Sequence, residues 1–266
     1  MRRLPLLSAG LFLSVALSFT TPASADATVL RYRLTTGQTL AYTVSMSSVD
    51  DVREGVAPIQ RQTDTDSYDV HYDFGRRQPD GAVALRLRID HATERLTKGG
   101  KTTVTYPHGD PTLFWQEPDG RQLSPDRRYT GAYSNGDLGA LTDRPVATGS
   151  TWTSTLTDQS LLSAHELTCR NILVGWLQGS PTVADISTVC SGYGHGTTTH
   201  NGVTYRASGS TMLAGRWAFD VKLGVFLAQR LTQQTLISGT ETDRHGTRAF
   251  SERTQSSTVQ QLMATF

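Results

Sequence analysis

Histidine and cysteine are the residue types in this 266-residue chain whose spacing could support metal or acid–base chemistry. The densest cluster is the segment Tyr193-Gly194-His195-Gly196-Thr197-Thr198-Thr199-His200. Two imidazoles can contribute to a divalent metal site, but Asp243 or His245 would have to supply a further ligand. On a strand, residues five apart such as His195 and His200 face opposite sides. We therefore interpret the cluster as the polar end of a hairpin and predict no metal ligand and no cofactor.

The sequence lacks the local signatures of common enzyme classes. His165-Glu166 begins a zinc-protease motif, but Cys169 stands where the second histidine would be. There is no Gly-x-Ser-x-Gly nucleophile elbow, no phosphate-binding glycine loop and no dinucleotide fingerprint. We predict no catalytic residue. A hydrolase with a dispersed site stays open as an alternative, because a catalytic triad assembles by folding and leaves no local pattern.

Cys169 and Cys190 are predicted to form a disulfide. The segments 165–176 and 181–190 read as two strands around a turn at Gln178-Gly179-Ser180-Pro181. If that turn centres between Gly179 and Ser180, paired positions sum to 359, as 169 and 190 do. The Cβ atoms of directly opposite residues approach disulfide distance. Two free thiols or a metal site are the alternatives, although two sulfurs alone make a poor zinc site.

The first 25 residues predict an export signal. Arg2-Arg3 is a basic start, Leu4 to Phe19 is mostly apolar, and Ala23-Ser24-Ala25 supplies the small residues that a signal peptidase accepts. The apolar run of about 16 residues is shorter than the roughly 20 that a spanning helix needs, and no later run is longer. We predict cleavage before Asp26 and a secreted or periplasmic, soluble protein without a transmembrane span, in a compartment that permits disulfides.

Alternation with period two dominates the rest of the chain. Val83, Leu85, Leu87 and Ile89 fall on one face of a strand, and 40–46, 70–74 and 217–221 alternate in the same way. Glycine, proline, asparagine and aspartate separate these runs, which is the chemistry of tight turns. The sequence therefore predicts an all-β protein with large antiparallel sheets that form a barrel, a half-barrel or a sandwich.

A segment rich in proline and glycine divides the chain. We predict an N-terminal β half at 26–107, an irregular connector at 108–144 and a C-terminal β half at 145–266. The connector is expected to hold one small hairpin near Phe114-Trp115, and either a simple link or a lid fits its composition. Gly37-Gln38-Thr39 recurs as Gly149-Ser150-Thr151, an offset of 112, and the hairpins that follow align at about 100. Either a duplication that produced two similar halves or coincidence among threonine-rich strands explains this recurrence, and both alternatives are open.

The segment Pro145-Val146-Ala147-Thr148-Gly149-Ser150-Thr151-Trp152 resembles the Pro-Val-x-x-Gly-Asp-Thr-Trp segment of uncharacterised exported bacterial β-rich proteins, which are grouped as domains of unknown function. The segments 30–42 and 215–224 look like their opening hairpin and their late Phe-Asp-x-x-x-Gly turn. Ser150 stands where aspartate is usual in that family. The resemblance implies a β-rich exported protein and supplies no activity.

The net charge of the chain excludes few classes of function. The chain carries 25 Lys and Arg against 24 Asp and Glu, so no strong field for nucleic acid exists and we predict no nucleic-acid partner. Arg86 and Arg88, with Arg31 and Arg33, predict either an anion-binding stripe or a solvated face. The sequence favours a non-catalytic exported protein that binds a small molecule, lipid or envelope protein in or on its β shell. A structural envelope protein without a pocket is the alternative, ahead of the hydrolase.

Overall fold

The computed structural model of the protein describes residues 27–107, 110–120, 122–123, 141–158, 165–200 and 202–266. The predicted signal peptide at 1–25 and its cleavage point before Asp26 lie outside these residues. The described residues form fourteen strands and no helix. The strands are β1 Thr28–Val29, β2 Thr39–Glu54, β3 Gln60–Arg77, β4 Val83–Lys98, β5 Lys101–Thr105, β6 Thr112–Gln116, β7 Gln122–Leu123, β8 Pro145–Val146, β9 Thr151–Asp158, β10 His165–Trp176, β11 Val183–His200, β12 Val203–Asp220, β13 Val225–Asp243 and β14 Gly246–Thr265.

Twelve of these strands make one antiparallel sheet. Its order is β7-β6-β4-β3-β2-β14-β13-β12-β11-β10-β9, with β5 paired to β4 beside this path, and β1 and β8 form a separate two-stranded sheet. Within the described residues the path is open, because β7 and β9 at its two ends do not pair with each other. The all-β class and the large antiparallel sheet are confirmed, and the sheet is open rather than closed.

The apolar core lies at one end of the long strands. Leu40, Tyr42 and Val44 of β2 are fully buried, and so is most of the predicted apolar face of β3. On β4 the predicted face is buried only at its start: Val83 and Leu85 are inaccessible, whereas Ile89 is 38% exposed. Alternation assigns a side chain to a face, but burial also requires that the face lie over the core. We call the face of the sheet that carries Tyr42 the inner face and the opposite one the outer face.

The segment before β2 closes this core. Leu30, Tyr32 and Leu34 are buried against the inner face. The backbone N–H of Tyr32 donates to the carbonyl of Pro118 at 3.1 Å, and that of Arg33 donates to the carbonyl of Gly224 at 3.0 Å. The core end of the inner face is therefore filled by the protein's own side chains.

The predicted connector contains a piece of the main sheet. β6 pairs with β4 and forms an antiparallel hairpin with β7, at the predicted position near Phe114 and Trp115. Phe114 is 8% exposed and Gln116 is fully buried. Positions 108–109, 121 and 124–140 of the connector lie outside the described residues. The division at 26–107, 108–144 and 145–266 stays a prediction.

Glycines permit two neighbouring strands, β12 and β13, to approach each other closely at two places. A Cβ on Gly215 would overlap the carbonyl oxygen of Arg230, and one on Gly239 would overlap that of Arg206. Both carbonyls belong to the adjacent strand, so only glycine allows this close approach of neighbouring backbones.

Candidate functional site

The histidines that the sequence singled out lie at the end of β11 and in the turn between β13 and β14. His195 lies on the outer face of β11 and lines a shallow depression of about 460 Å³. His200 ends β11, and its side chain is not among those described. In the β13–β14 turn, a carboxylate oxygen of Asp243 accepts from the backbone N–H of His245 at 2.7 Å, and this hydrogen bond lowers the pKa of Asp243. No group of three or more His, Cys, Asp or Glu side chains that could hold a metal occurs among the described residues.

The predicted disulfide is confirmed. Cys169 and Cys190 are directly opposite in the β10–β11 pairing and are bonded. The predicted register holds from Thr168 to Leu173, and an irregularity before Gly175 then shifts it by one residue toward the turn. The cystine is buried on the inner face beside Leu167 and Leu213, so it acts as part of the packing.

Sequence reasoning missed a buried histidine–aspartate pair at the start of β10. His165 begins β10 and Asp158 ends β9, and the two are direct cross-strand partners. Their side chains are 6% and 5% exposed, with His165 Nε2 at 3.5 Å from Asp158 Oδ2. The single sequence signal was the His165-Glu166 dipeptide, which suggested a different motif.

Carboxylates crowd the inner face of the sheet beyond the core. Asp64 and Asp66 on β3, Glu94 on β4, Asp50 on β2 and Glu252 on β14 share this face. Burial, and then the charges of Asp64 and Glu94, raise the pKa of Asp66 to about 6. Burial also raises the pKa of Asp64, with Glu94 adding to the effect, and that of Glu252, with Asp50 adding to it. Asp64, Asp66 and Glu252 therefore retain their protons to a higher pH than isolated carboxyl groups do.

A diagonal of apolar side chains crosses the outer face. Ile172, Val189, Met212 and Leu236 lie on the four neighbouring strands β10, β11, β12 and β13. Each residue lies two positions along its strand from the cross-strand partner of the preceding residue, and always in the same direction across the sheet. Ile172 is half-buried, whereas Val189 is 50%, Met212 57% and Leu236 46% exposed. We call these four residues the outer-face stripe.

The stripe begins in a shallow depression of about 570 Å³ on the outer face of β9, β10 and β11. Its lining includes Ile172 and Val189 of the stripe, Arg170, and threonine and serine hydroxyls from all three strands. Arg170 lies between Thr153 of β9 and Val189 of β11 in the register. No carboxylate lines the depression, and Arg170 has no ion-pair or hydrogen-bond partner within the described part of the chain. We call this feature the Arg170 depression.

The basic stripe suggested by the sequence is not formed. Arg88 is held by two carboxylates, with its Nε donating to Asp73 at 2.9 Å and its Nη1 3.4 Å from Asp90. Arg31 and Arg33 lie in the segment before β2, outside the main sheet. An exposed arginine that lies beside two apolar side chains is Arg170. The sequence did not single it out, because its neighbours come from two other strands.

Comparisons with known proteins give no family. No protein-family model and no curated protein matches the chain. Two of the solved structures that match are similar over 87% of this chain. A structure of lipid–protein interactions in lipovitellin has 10% identity and a TM-score of 0.40, and the chain spans 26% of its length. An outer membrane channel from Pseudomonas putida F1 has 11% identity and a TM-score of 0.31, and 97% of it is covered. Both scores lie below 0.5, so neither neighbour bears on function.

A helix long and apolar enough to cross a membrane is not found in the described ranges.

Proposed function

We propose that the protein is an exported, non-catalytic protein that binds a lipid-like amphiphile on the outer face of its sheet, at the outer-face stripe and the Arg170 depression. The observation that carries the proposal is the continuity of the stripe with the depression. Single exposed apolar side chains are ordinary on protein surfaces, whereas contiguous apolar patches mark interaction sites. Elsewhere, the outer face of β10–β13 carries mainly Ser, Thr, Ala and charged residues, with exposed Tyr193 on β11 as an exception.

The dimensions of the stripe suit an extended chain. Its four strands are about 4.8 Å apart, and the stripe also advances about six residues along them, which gives a length of roughly 25 Å. An alkyl chain laid along it would cover the exposed parts of Val189, Met212 and Leu236. The depression at the β10 end gives room for a headgroup.

The outer face is the better place for such a ligand than the core end of the inner face. Tyr42, Tyr72, Phe219 and Phe226 fill that core and are fully buried. Beyond the core, the inner face carries the carboxylate cluster, where an apolar chain would bury charged groups at a high cost. A ligand is therefore proposed on the β shell rather than in it.

Export and family belong to the same proposal. The buried disulfide suits an oxidising compartment, in agreement with the export signal read from 1–25. The resemblance of 145–152 to exported bacterial β-rich proteins points the same way. An envelope protein without a ligand and a hydrolase with a dispersed site are the alternative functions.

Substitutions in the stripe test the proposal. Monomeric dodecyl maltoside, a neutral amphiphile, is titrated into the protein by calorimetry below its micelle concentration. We expect Met212→Ser and Leu236→Ser each to weaken binding about fivefold, because each removes apolar surface worth about 1 kcal/mol.

The matched control is Val259→Ser. Val259 is 38% exposed and lies on the outer face of β14, away from the stripe. The Val259→Ser variant should bind dodecyl maltoside as tightly as the native protein does. If the native protein binds no amphiphile, or if all three variants lose affinity equally, the stripe is not the site.

A further inference from the structure

We infer that the bound amphiphile is a single-chain anion, a carboxylate or phosphate monoester, and that Arg170 binds its headgroup. This inference rests on the proposed function and names the chemistry of the ligand at the same site.

Arg170 differs from the sheet arginines that have a carboxylate partner. Arg61 binds Asp51, Arg88 binds Asp73 and Arg216 binds Asp185, in each case from a neighbouring strand. The cross-strand neighbours of Arg170 are Thr153 and Val189, which cannot neutralise its charge. The guanidinium therefore keeps its planar set of donors for an external carboxylate or phosphate, the groups that it binds best.

The surroundings of Arg170 combine a charge with an apolar surface. The depression around His195 and Arg206 is lined otherwise by small and hydroxyl residues, without a large apolar side chain. The depression around Arg230 contains the carboxylate of Asp185 and the partner of that carboxylate, Arg216. Of these three depressions, the one at Arg170 combines an arginine with two large aliphatic side chains, exposed Val189 and half-buried Ile172, and has no carboxylate in its lining, whereas Arg230 has only Val259 beside it and Asp185 in the same lining.

The order of residues along the site gives the ligand a direction. The headgroup lies at Arg170 on β10, with hydroxyls such as Thr153, Thr168 and Ser191 around it. The chain then leaves over Val189, the direct neighbour of Arg170 on β11, and continues along the stripe toward β13, while Ile172 flanks the headgroup. A depression shared by three strands fits the headgroup of one molecule, so we assign the site to a monomeric amphiphile rather than to a membrane surface.

The test compares two ligands with the same alkyl chain. Laurate and dodecyl maltoside are titrated into the protein at pH 8 and low salt, each below its micelle concentration. We expect the native protein to bind laurate about tenfold more tightly, because a charge-assisted bond to Arg170 adds to the shared apolar contact. Arg170→Gln should abolish this preference, so that laurate and dodecyl maltoside bind the variant with similar affinity. Arg170→Lys should restore part of it.

Arg230→Gln is the matched control, since it removes an exposed outer-face arginine outside the depression. It should retain the preference for laurate. The inference is overturned if Arg170→Gln keeps the preference, if Arg230→Gln loses it equally, or if phosphatidylglycerol vesicles bind and monomeric laurate does not. Equal binding of laurate and maltoside by the native protein overturns the inference but leaves the proposed function standing. Binding of neither ligand contradicts both.

Discussion

The carboxylate of Asp66 couples protonation to folding. Its pKa is raised to about 6 in the folded protein, first by burial and then by Asp64 and Glu94. An unfolded aspartate titrates near 3.9, so between about pH 4 and pH 6 the folded state binds more protons than the unfolded state. Protonation of Asp66 therefore contributes its full stabilisation of the folded state below about pH 4. This stabilisation is lost as the pH rises through about 6.

We expect Asp66→Asn to raise the melting temperature at pH 8 and to have little effect at pH 4, as measured by thermal melts across this range. The control is Asp51→Asn on the outer face. Arg61 lowers the pKa of Asp51, mainly through their hydrogen bond, so its loss should lower the melting temperature at pH 8. A rise of equal size for Asp66→Asn at both pH values would contradict the linkage.

The residues of the candidate site differ in how well the sequence could predict their surroundings. The cystine was predictable because one hairpin and its register determine the distance between Cys169 and Cys190. The setting of Arg170 was not, because Thr153 and Val189 approach it from two other strands. Asp66 likewise looks like an ordinary strand residue until β2 and β4 bring Asp50 and Glu94 to the face that it shares with Asp64.

The β10–β11 hairpin should depend on its cystine for stability. The bond spans a sequence separation of 21 residues. Closing a loop of that size is worth on the order of 3 kcal/mol of unfolding free energy. The double variant Cys169→Ser, Cys190→Ser should lose about that amount in urea titrations.

Reductant offers an internal check on this prediction. The native protein in reductant should unfold like the double variant, and the double variant should not respond to reductant. Titration of two free thiols in the unfolded, non-reduced protein would show that the bond is absent.

The turn before β2 and the turn before β9 share one hydrogen-bond pattern. The N–H of Gly37 donates to Phe74 and that of Gly149 to Leu173, both at 2.7 Å, and both glycines have φ near +85°. The oxygen of the next side chain accepts a backbone N–H three residues earlier, at 3.0 Å for Gln38 and 2.9 Å for Ser150.

The serine that departs from the resembled motif is thus a turn cap, a task that several polar residues can perform. The two glycines are 112 apart in sequence and their acceptors 99, the offsets that the sequence suggested. Duplication of a β unit stays a prediction that this match supports.

At the scale of the whole molecule, the two predicted halves share one core. Tyr42 of the first half stacks on Phe226 of the second with ring centroids 4.4 Å apart, and its hydroxyl donates to the carbonyl of Phe226 at 3.0 Å. Tyr32 meets Phe219 edge to face at 5.3 Å. The pairing of β14 with β2 joins the halves in one sheet. Local patterns could not predict this pairing, because it links strands about 200 residues apart.

A shared core implies that the halves unfold together. Tyr42→Ala should lower the unfolding free energy by about 3–5 kcal/mol, as expected for a large buried side chain. Urea titration followed by hydrogen exchange should show β3 and β12 losing protection at the same urea concentration, in the variant as in the native protein. Tyr42→Phe, which removes only the hydroxyl, should cost about 1 kcal/mol. Tyr193→Ala, at a residue 67% exposed, should change little. If β3 lost protection while β12 kept it, the halves would be independent, and the shared core would not control their stability.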